Sequence, residues 1–382
     1  MSWKTCSEKI ERLKKEGLLR TIKDRQAQQS ASKILIDGVE YINFASNDYL
    51  GLSTNSSIAE SAKRAIDQYG FGAGASRLLS GGTELHSALE RMVSEFKKTG
   101  AALAFNSGYS ANTSAIPAIA GENDIIFSDE LNHASIIDGC RLSKARTVIY
   151  RHRDVAHLSE LLKKEKGDKK IIVTDTVFSM DGDIAPLYDI YNICLANDAI
   201  FYLDDAHGTG VLGDGHGALA HFKLKPEPWI IQMGTFSKAL GSYGAFIAAD
   251  KDTINWFINS ARGFIFSTAL PSCVIAASIA ALNIIQEGPE IADRLWQNRE
   301  RLFRGLHKAG FDTLNSETPI IPVIVGDTEK TMRFSDHLKN HHIYAPAIRP
   351  ATVKMPRIRF TVSAAHTDED IDKVLEVLRK TL

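Results

Sequence analysis

Two short apolar runs, each ending abruptly in polar residues, restrict the fold of this chain more than any other feature. Ala199-Ile200-Phe201-Tyr202-Leu203 reads as a buried strand that stops at Asp204-Asp205-Ala206-His207. Trp229-Ile230-Ile231-Gln232-Met233-Gly234 reads as a second, and a tight turn then delivers Thr235-Phe236-Ser237-Lys238. Polar groups at the C-terminal edges of strands in an α/β sheet are where ligands sit. Lys238 lies between Ser237 and Ala239-Leu240-Gly241, away from solvating charges. An amine so placed loses its proton more readily than one on an open surface, as a Schiff-base lysine must.

That chemistry points to pyridoxal 5'-phosphate. This cofactor needs a lysine for its aldehyde and a carboxylate against its pyridine nitrogen. Asp204 ends its strand and is the carboxylate expected there; His207 is placed to reach the ring's phenolic oxygen. Taken singly, each residue has a plainer account, an aspartate capping a helix or a lysine facing solvent. The ordered set favours the cofactor.

The 382 residues leave room for more than one domain, and 45 basic against 46 acidic side chains give no basic stripe for nucleic acid. Cys6, Cys140, Cys194 and Cys273 are far apart, so neither a disulfide framework nor a metal site is expected, and a reducing cytoplasm fits. The longest apolar run, Cys273 to Ile285, is too short to span a bilayer, so no membrane partner is expected. Glu8, Glu11 and Glu16 argue against a transit peptide.

Trp3, Cys6, Ile10 and Leu13 predict an amphipathic helix. Lys33–Ile36, Asp37-Gly38 and Val39–Ile42 predict a hairpin. Ile58 to Tyr69 and Leu85 to Phe96 read as helices on either side of a glycine-rich turn, Gly72–Arg77. This turn is not a dinucleotide fingerprint, because Arg77 stands where the third glycine belongs. A strand from Ala101 to Phe105 leads through Ser107-Gly108-Tyr109 into a helix whose free N–H groups suit a phosphate. Tyr109 or His133 could lie flat on a cofactor ring.

Further strands are expected at 124–128, 147–152, 170–174 and 244–249, and a long apolar helix runs from Ser272 to about Gln286. A boundary is placed at Glu287-Gly288-Pro289, dividing the chain into an N-terminal segment (1–45), a large domain (46–287) and a small α/β domain (288–382). In the last, Ile343–Ile348 reads as one strand. Arg357–Val362 alternates as a half-exposed strand with two arginines on one side, suited to a substrate carboxylate or to a surface salt bridge.

Together these stretches resemble the α-oxoamine synthases within the fold-type I pyridoxal-phosphate enzymes, an aspartate aminotransferase-like α/β fold. The resemblance runs from about Trp3 to Leu378. It is sharpest at Ser46–Gly51, Val177–Asp183, Asp204–Gly210, Gly234–Lys238 and Ile348–Val353. It departs at Ser237, where the family often has glycine.

The resemblance implies a homodimer with active sites at the interface, and an acyl transfer with decarboxylation. The Ile-Arg-Pro-x-Thr-Val loop and the opening Ser2-Trp3 favour L-alanine with a pimeloyl thioester, on CoA or acyl carrier protein. Glycine with a shorter acyl-CoA is the alternative. A non-catalytic binding or regulatory protein of the same fold is the remote one. By the same resemblance Lys238 carries the cofactor, Asp204 meets the pyridine nitrogen and His207 the phenolic oxygen. His133 stacks on the ring, Ser179 lies beside it, and Gly108, Tyr109 and Thr235 meet the phosphate. Thr268 reaches the neighbouring subunit's phosphate. Arg20, His133 and Thr352 contact substrate, and Arg359, with Asn47 near it, holds the amino-acid carboxylate.

Overall fold

Apolar runs too short for helices form a seven-stranded sheet in the order Ala101–Phe105, Ala245–Ala249, Ile230–Thr235, Ala199–Asp204, Lys170–Asp175, Ile125–Asp129, Arg146–Tyr150. Ala245–Ala249 runs antiparallel to both neighbours, and the other six strands share one direction. The computed structural model describes residues 4–20, 22, 24–26, 30–288 and 290–380; Ser2, Trp3 and Pro289 lie outside them. Central strands are apolar on both faces because helices cover both. Alternate residues of one strand therefore feed separate cores, Phe201 and Leu203 into one and Tyr202 into the other. The expected helix at 272–286 forms as Ser272–Glu287 and buries Ile275, Ala281 and Leu282 in the first of these cores.

The hairpin forms as expected, with Asp37 (φ 51°) and Gly38 (φ 76°) both left-handed at its turn. Its second strand, Val39–Asn43, pairs in parallel with Ile343–Tyr344. Ile42 and Phe44 thereby join a third core with Leu302, Ile321, Ile358 and Phe360.

Two expectations for the C-terminal region need correction. Ile343–Ile348 is not one strand. Pro346 interrupts it, so that Ile343–Tyr344 joins the hairpin while Ala347–Ile348 pairs with Arg357–Thr361. Arg357–Thr361 is not half-exposed either. It is the middle strand of three and is buried throughout.

The first helix, Lys4–Lys15, has the predicted stripe, but Ile10 and Leu13 remain exposed. Helices at Ala134–Ser143, Leu187–Asn197, Lys251–Ser260 and Asp368–Arg379 were not anticipated. The last carries a legible start signal, because Thr367 and Asp370 form a reciprocal capping box. Among the described residues no single helix is long and apolar enough to cross a membrane.

Candidate active site

The parallel strands end on one edge of the sheet in Asp129, Asp175, Asp204 and Thr235. In front of the last three lies a cavity of about 200 Å³. Its walls include Gly108, Tyr109, His133, Ser179, Asp204, His207, Thr235 and Lys238, so eight of the predicted residues meet there. Ser135, Asp175, Ala206, Met233 and Ser237 complete it.

Lys238 is half-buried. Burial lowers its amine to about 8, although Asp204 and Asp175 pull the other way. The two carboxylates sit side by side on neighbouring strands. Burial, then the charge of Asp204, pushes Asp175 well above the usual carboxylate range. Asp204 is also raised by burial, but Lys238, the Asn112 amide, the Ala206 N–H and His133 all oppose the shift. Asp204 is the better compensated of the two and carries the negative charge. The Asp175 carboxyl accepts the backbone N–H of His133 at 2.6 Å and fixes that residue at the start of its helix.

His207 is buried and bonds to the Tyr49 hydroxyl through Nδ1 at 2.6 Å. Burial, then the nearby cations Lys238 and Arg359, holds its pKa well below the ordinary value, so the ring is neutral.

The Gly108–Ile119 helix begins at the cavity. Ser107 caps it by accepting the Ser110 N–H at 3.1 Å, and the amides of Gly108 and Tyr109 lie at its positive end. Thr235 Oγ1 lies 2.6 Å from Ser237 Oγ and accepts the Ser237 N–H at 3.1 Å, which shapes the turn before the lysine.

The two arginines of Arg357–Thr361 do face one way, onto the loop after Val177, but only one is available. Arg357 is held in an ion pair with Asp181. Arg359 donates to the Ser179 carbonyl (2.6 Å), Thr361 Oγ1 (2.6 Å) and Asn47 Oδ1 (3.1 Å). These bonds leave guanidinium N–H groups over for a carboxylate.

Besides Arg359 and Asn47, which bond to each other next to Ser179, three predicted residues do not line the cavity. Arg20 donates to Thr352 Oγ1 at 3.2 Å, so these two meet each other, and neither lines the pocket. Thr268 forms an isolated bridge with Ser76. Asn112 was missed. It sits one helical turn beyond Gly108, buried, and donates to Asp204 Oδ2 at 2.7 Å. An asparagine inside an otherwise apolar helix was the available signal.

A neutralisable lysine, a buried carboxylate and a helix N-terminus around one cavity fit the aldehyde, ring nitrogen and phosphate of pyridoxal phosphate. The sequence model of the family aminotransferase class I and II matches residues 39–378, and the chain belongs to that family of pyridoxal-phosphate enzymes. Within it the chain falls with the α-oxoamine synthases, as its motifs implied.

A protein of Thermodesulfovibrio yellowstonii, provisionally named 8-amino-7-oxononanoate synthase, is 55% identical over 368 residues, covering 96% of this chain and 94% of its own. An 8-amino-7-oxononanoate synthase of Geobacter metallireducens is 46% identical over 380 residues, covering 98% of this chain and 97% of its own. Among solved structures, a serine palmitoyltransferase variant from S. paucimobilis with bound PLP–myriocin superposes with a TM-score of 0.93 at 27% identity, covering 100% of this chain and 98% of that one.

Proposed function

We propose that this chain condenses L-alanine with a pimeloyl thioester, on CoA or acyl carrier protein, releasing carbon dioxide and the thiol and forming 8-amino-7-oxononanoate for biotin synthesis. The observation that carries the reading is the half-buried Lys238 amine facing the Asp204 carboxylate in a cavity with His133 and His207. The substrate pair rests on the near full-length identity to relatives of that name, because the fold is shared with a serine palmitoyltransferase.

The bound cofactor supplies an aldehyde and an electron-withdrawing ring. Lys238 would hold the cofactor, and its amine, lowered by burial, would take the Cα proton as general base. Arg359 grips the alanine carboxylate with its remaining N–H groups and turns the Cα–H toward Lys238. Asp204 would pair with the ring nitrogen and favour its protonated form. Neutral His207, His133 and Ser179 would hold the cofactor ring, and Gly108, Tyr109 and Thr235 would receive its phosphate. Arg20 and Thr352, paired with each other, contact the acyl end of the substrate.

The reading extends to a homodimer. Phe71, Leu79 and Phe266 are 73%, 81% and 70% exposed, and the Ser76–Thr268 bridge brings their segments together. A second copy covering this face would bring Thr268 toward the other subunit's phosphate. The partition into 46–287 and 288–382, with 1–45 preceding them, belongs to the same proposal. So does a cytoplasmic setting, which the four free cysteines suit.

The test is thiol release with alanine plus pimeloyl-CoA against glycine plus acetyl-CoA or succinyl-CoA. Strong preference for either glycine pair overturns the substrate assignment.

A further inference from the structure

Two buried polar side chains, Asn112 and Ser135, link Asp204 to His133 behind the cavity wall, with Tyr202 bonded to the first. Asn112, on the helix that starts at Gly108, spends both amide hydrogens, one on Asp204 Oδ2 at 2.7 Å and one on Ser135 Oγ at 2.8 Å. Its carbonyl oxygen accepts the Tyr202 hydroxyl at 2.8 Å. Ser135 Oγ lies 2.7 Å from His133 Nδ1, and the Ser135 N–H points at the same nitrogen at 3.3 Å. Asn112, Ser135, Tyr202 and Asp204 are 0%, 1%, 0% and 3% exposed, so the bonds among these four are shielded from water.

Donor counting, together with the Ser135 backbone N–H, assigns the protons along the chain. An ionised carboxylate only accepts, so the Asn112 NH₂ must face Asp204, and its oxygen is left for Tyr202 to donate to. Burial, then the charge of Asp204, raises Tyr202 well above its ordinary pKa and keeps its proton in place. The Ser135 backbone N–H points at His133 Nδ1, so that nitrogen accepts, and Ser135 Oγ, which accepts from Asn112, gives its own hydrogen to it as well. The single proton of the neutral imidazole then sits on Nε2.

We propose that Asn112 is a positioning residue that sets two things at once: the ionisation of Asp204 and, through Ser135, the Nε2–H tautomer of His133. The inference rests on the cofactor placement above and not on the choice of acyl substrate.

The experiment uses Asn112→Leu, which keeps the volume and removes the relay, and Tyr202→Phe, which removes only the outer donor. Three readouts apply to the holoenzyme: ¹⁵N imidazole NMR of His133, the pH midpoint of the bound cofactor's visible absorption, and the cofactor dissociation constant. Wild type shows Nε2–H. In Asn112→Leu the tautomer signal shifts toward Nδ1–H or a mixture, and the cofactor dissociation constant rises about tenfold, as the loss of one charged hydrogen bond predicts. The absorption midpoint rises with it, because an unprotonated ring no longer favours loss of the linked amine's proton. Tyr202→Phe moves all three readouts the same way by less, and decides the matter if Asn112→Leu does not fold. A lowered melting temperature with tautomer and midpoint unchanged in the folded variants overturns the proposal, as does Nδ1–H in the wild type. If the wild type binds no cofactor at Lys238, the cofactor placement fails instead, and the His133 tautomer in the unloaded protein still tests the relay.

Discussion

Lys238 and Arg359 are separated by nearly a third of the chain, and their chemistry depends on burial that neither reports locally. The amine of Lys238 titrates at about 8, so only its neutral fraction condenses with an aldehyde at neutral pH. Cofactor uptake by the unloaded protein is therefore expected to quicken as pH rises through about 8 and then level off, measured by stopped-flow absorbance. Borohydride reduction of the loaded protein should tag Lys238 and leave Lys238→Ala untagged in peptide maps. Arg359→Lys keeps the charge but loses the planar fork that serves Ser179, Thr361 and Asn47 simultaneously. A fall in kcat/KM for alanine of about a hundredfold is expected, roughly 3 kcal/mol of transition-state stabilisation, with thioester KM little changed.

Among the elements, the helices Gly108–Ile119 and Ala134–Ser143 are held close by Gly139. A Cβ there would lie 2.7 Å from the Asn112 carbonyl oxygen and 3.0 Å from Ile116 Cδ1. Gly139→Ala should cost about 1–3 kcal/mol in denaturant unfolding and weaken cofactor binding in parallel.

At the end of Arg146–Tyr150, His152 bonds to Asp129 (2.9 Å) and Asp183 (2.8 Å). Burial pulls its pKa down, but the two carboxylates outweigh it and lift it from 6.5 to about 9. The protonated ring therefore stabilises the fold fully below about 6.5, and the contribution is lost as pH rises through about 9. Melting temperature against pH should fall from pH 7 to 10 more steeply in wild type than in His152→Gln, a difference of about 2–3 kcal/mol at the acid end.

The strands, the hairpin and the cavity residues Gly108, Tyr109, Asp204, His207 and Lys238 were legible because short apolar runs and the polar residues that stop them are local signals, whereas Ser179 came from the family resemblance. The Pro346 break was legible in principle, since proline lacks the N–H a ladder needs, whereas the burial of Arg357–Thr361 depends on a third strand from elsewhere in the chain. The partnership of Asp175 with Asp204 was not legible, because strand order is not written in either segment. Thr268 and Arg20 have meaning only against surfaces that sequence neighbours do not supply.

In the molecule as a whole, the exposed face of Phe71, Leu79 and Phe266 is where the proposed second copy is expected. Leu79→Glu combined with Phe266→Glu should convert the dimer to monomer by sedimentation velocity and abolish turnover, while the far-ultraviolet dichroism stays unchanged.

The pairing of Ile42 with Ile343 has a temporal side as well. A polypeptide emerging from the ribosome makes its hairpin early, yet the strand that completes that edge arrives only near the end of synthesis. Until then the hairpin offers unpaired backbone to any passing strand. Closing so long a loop is entropically costly, so this junction is expected to form late and to be exposed to misassembly when translation stalls.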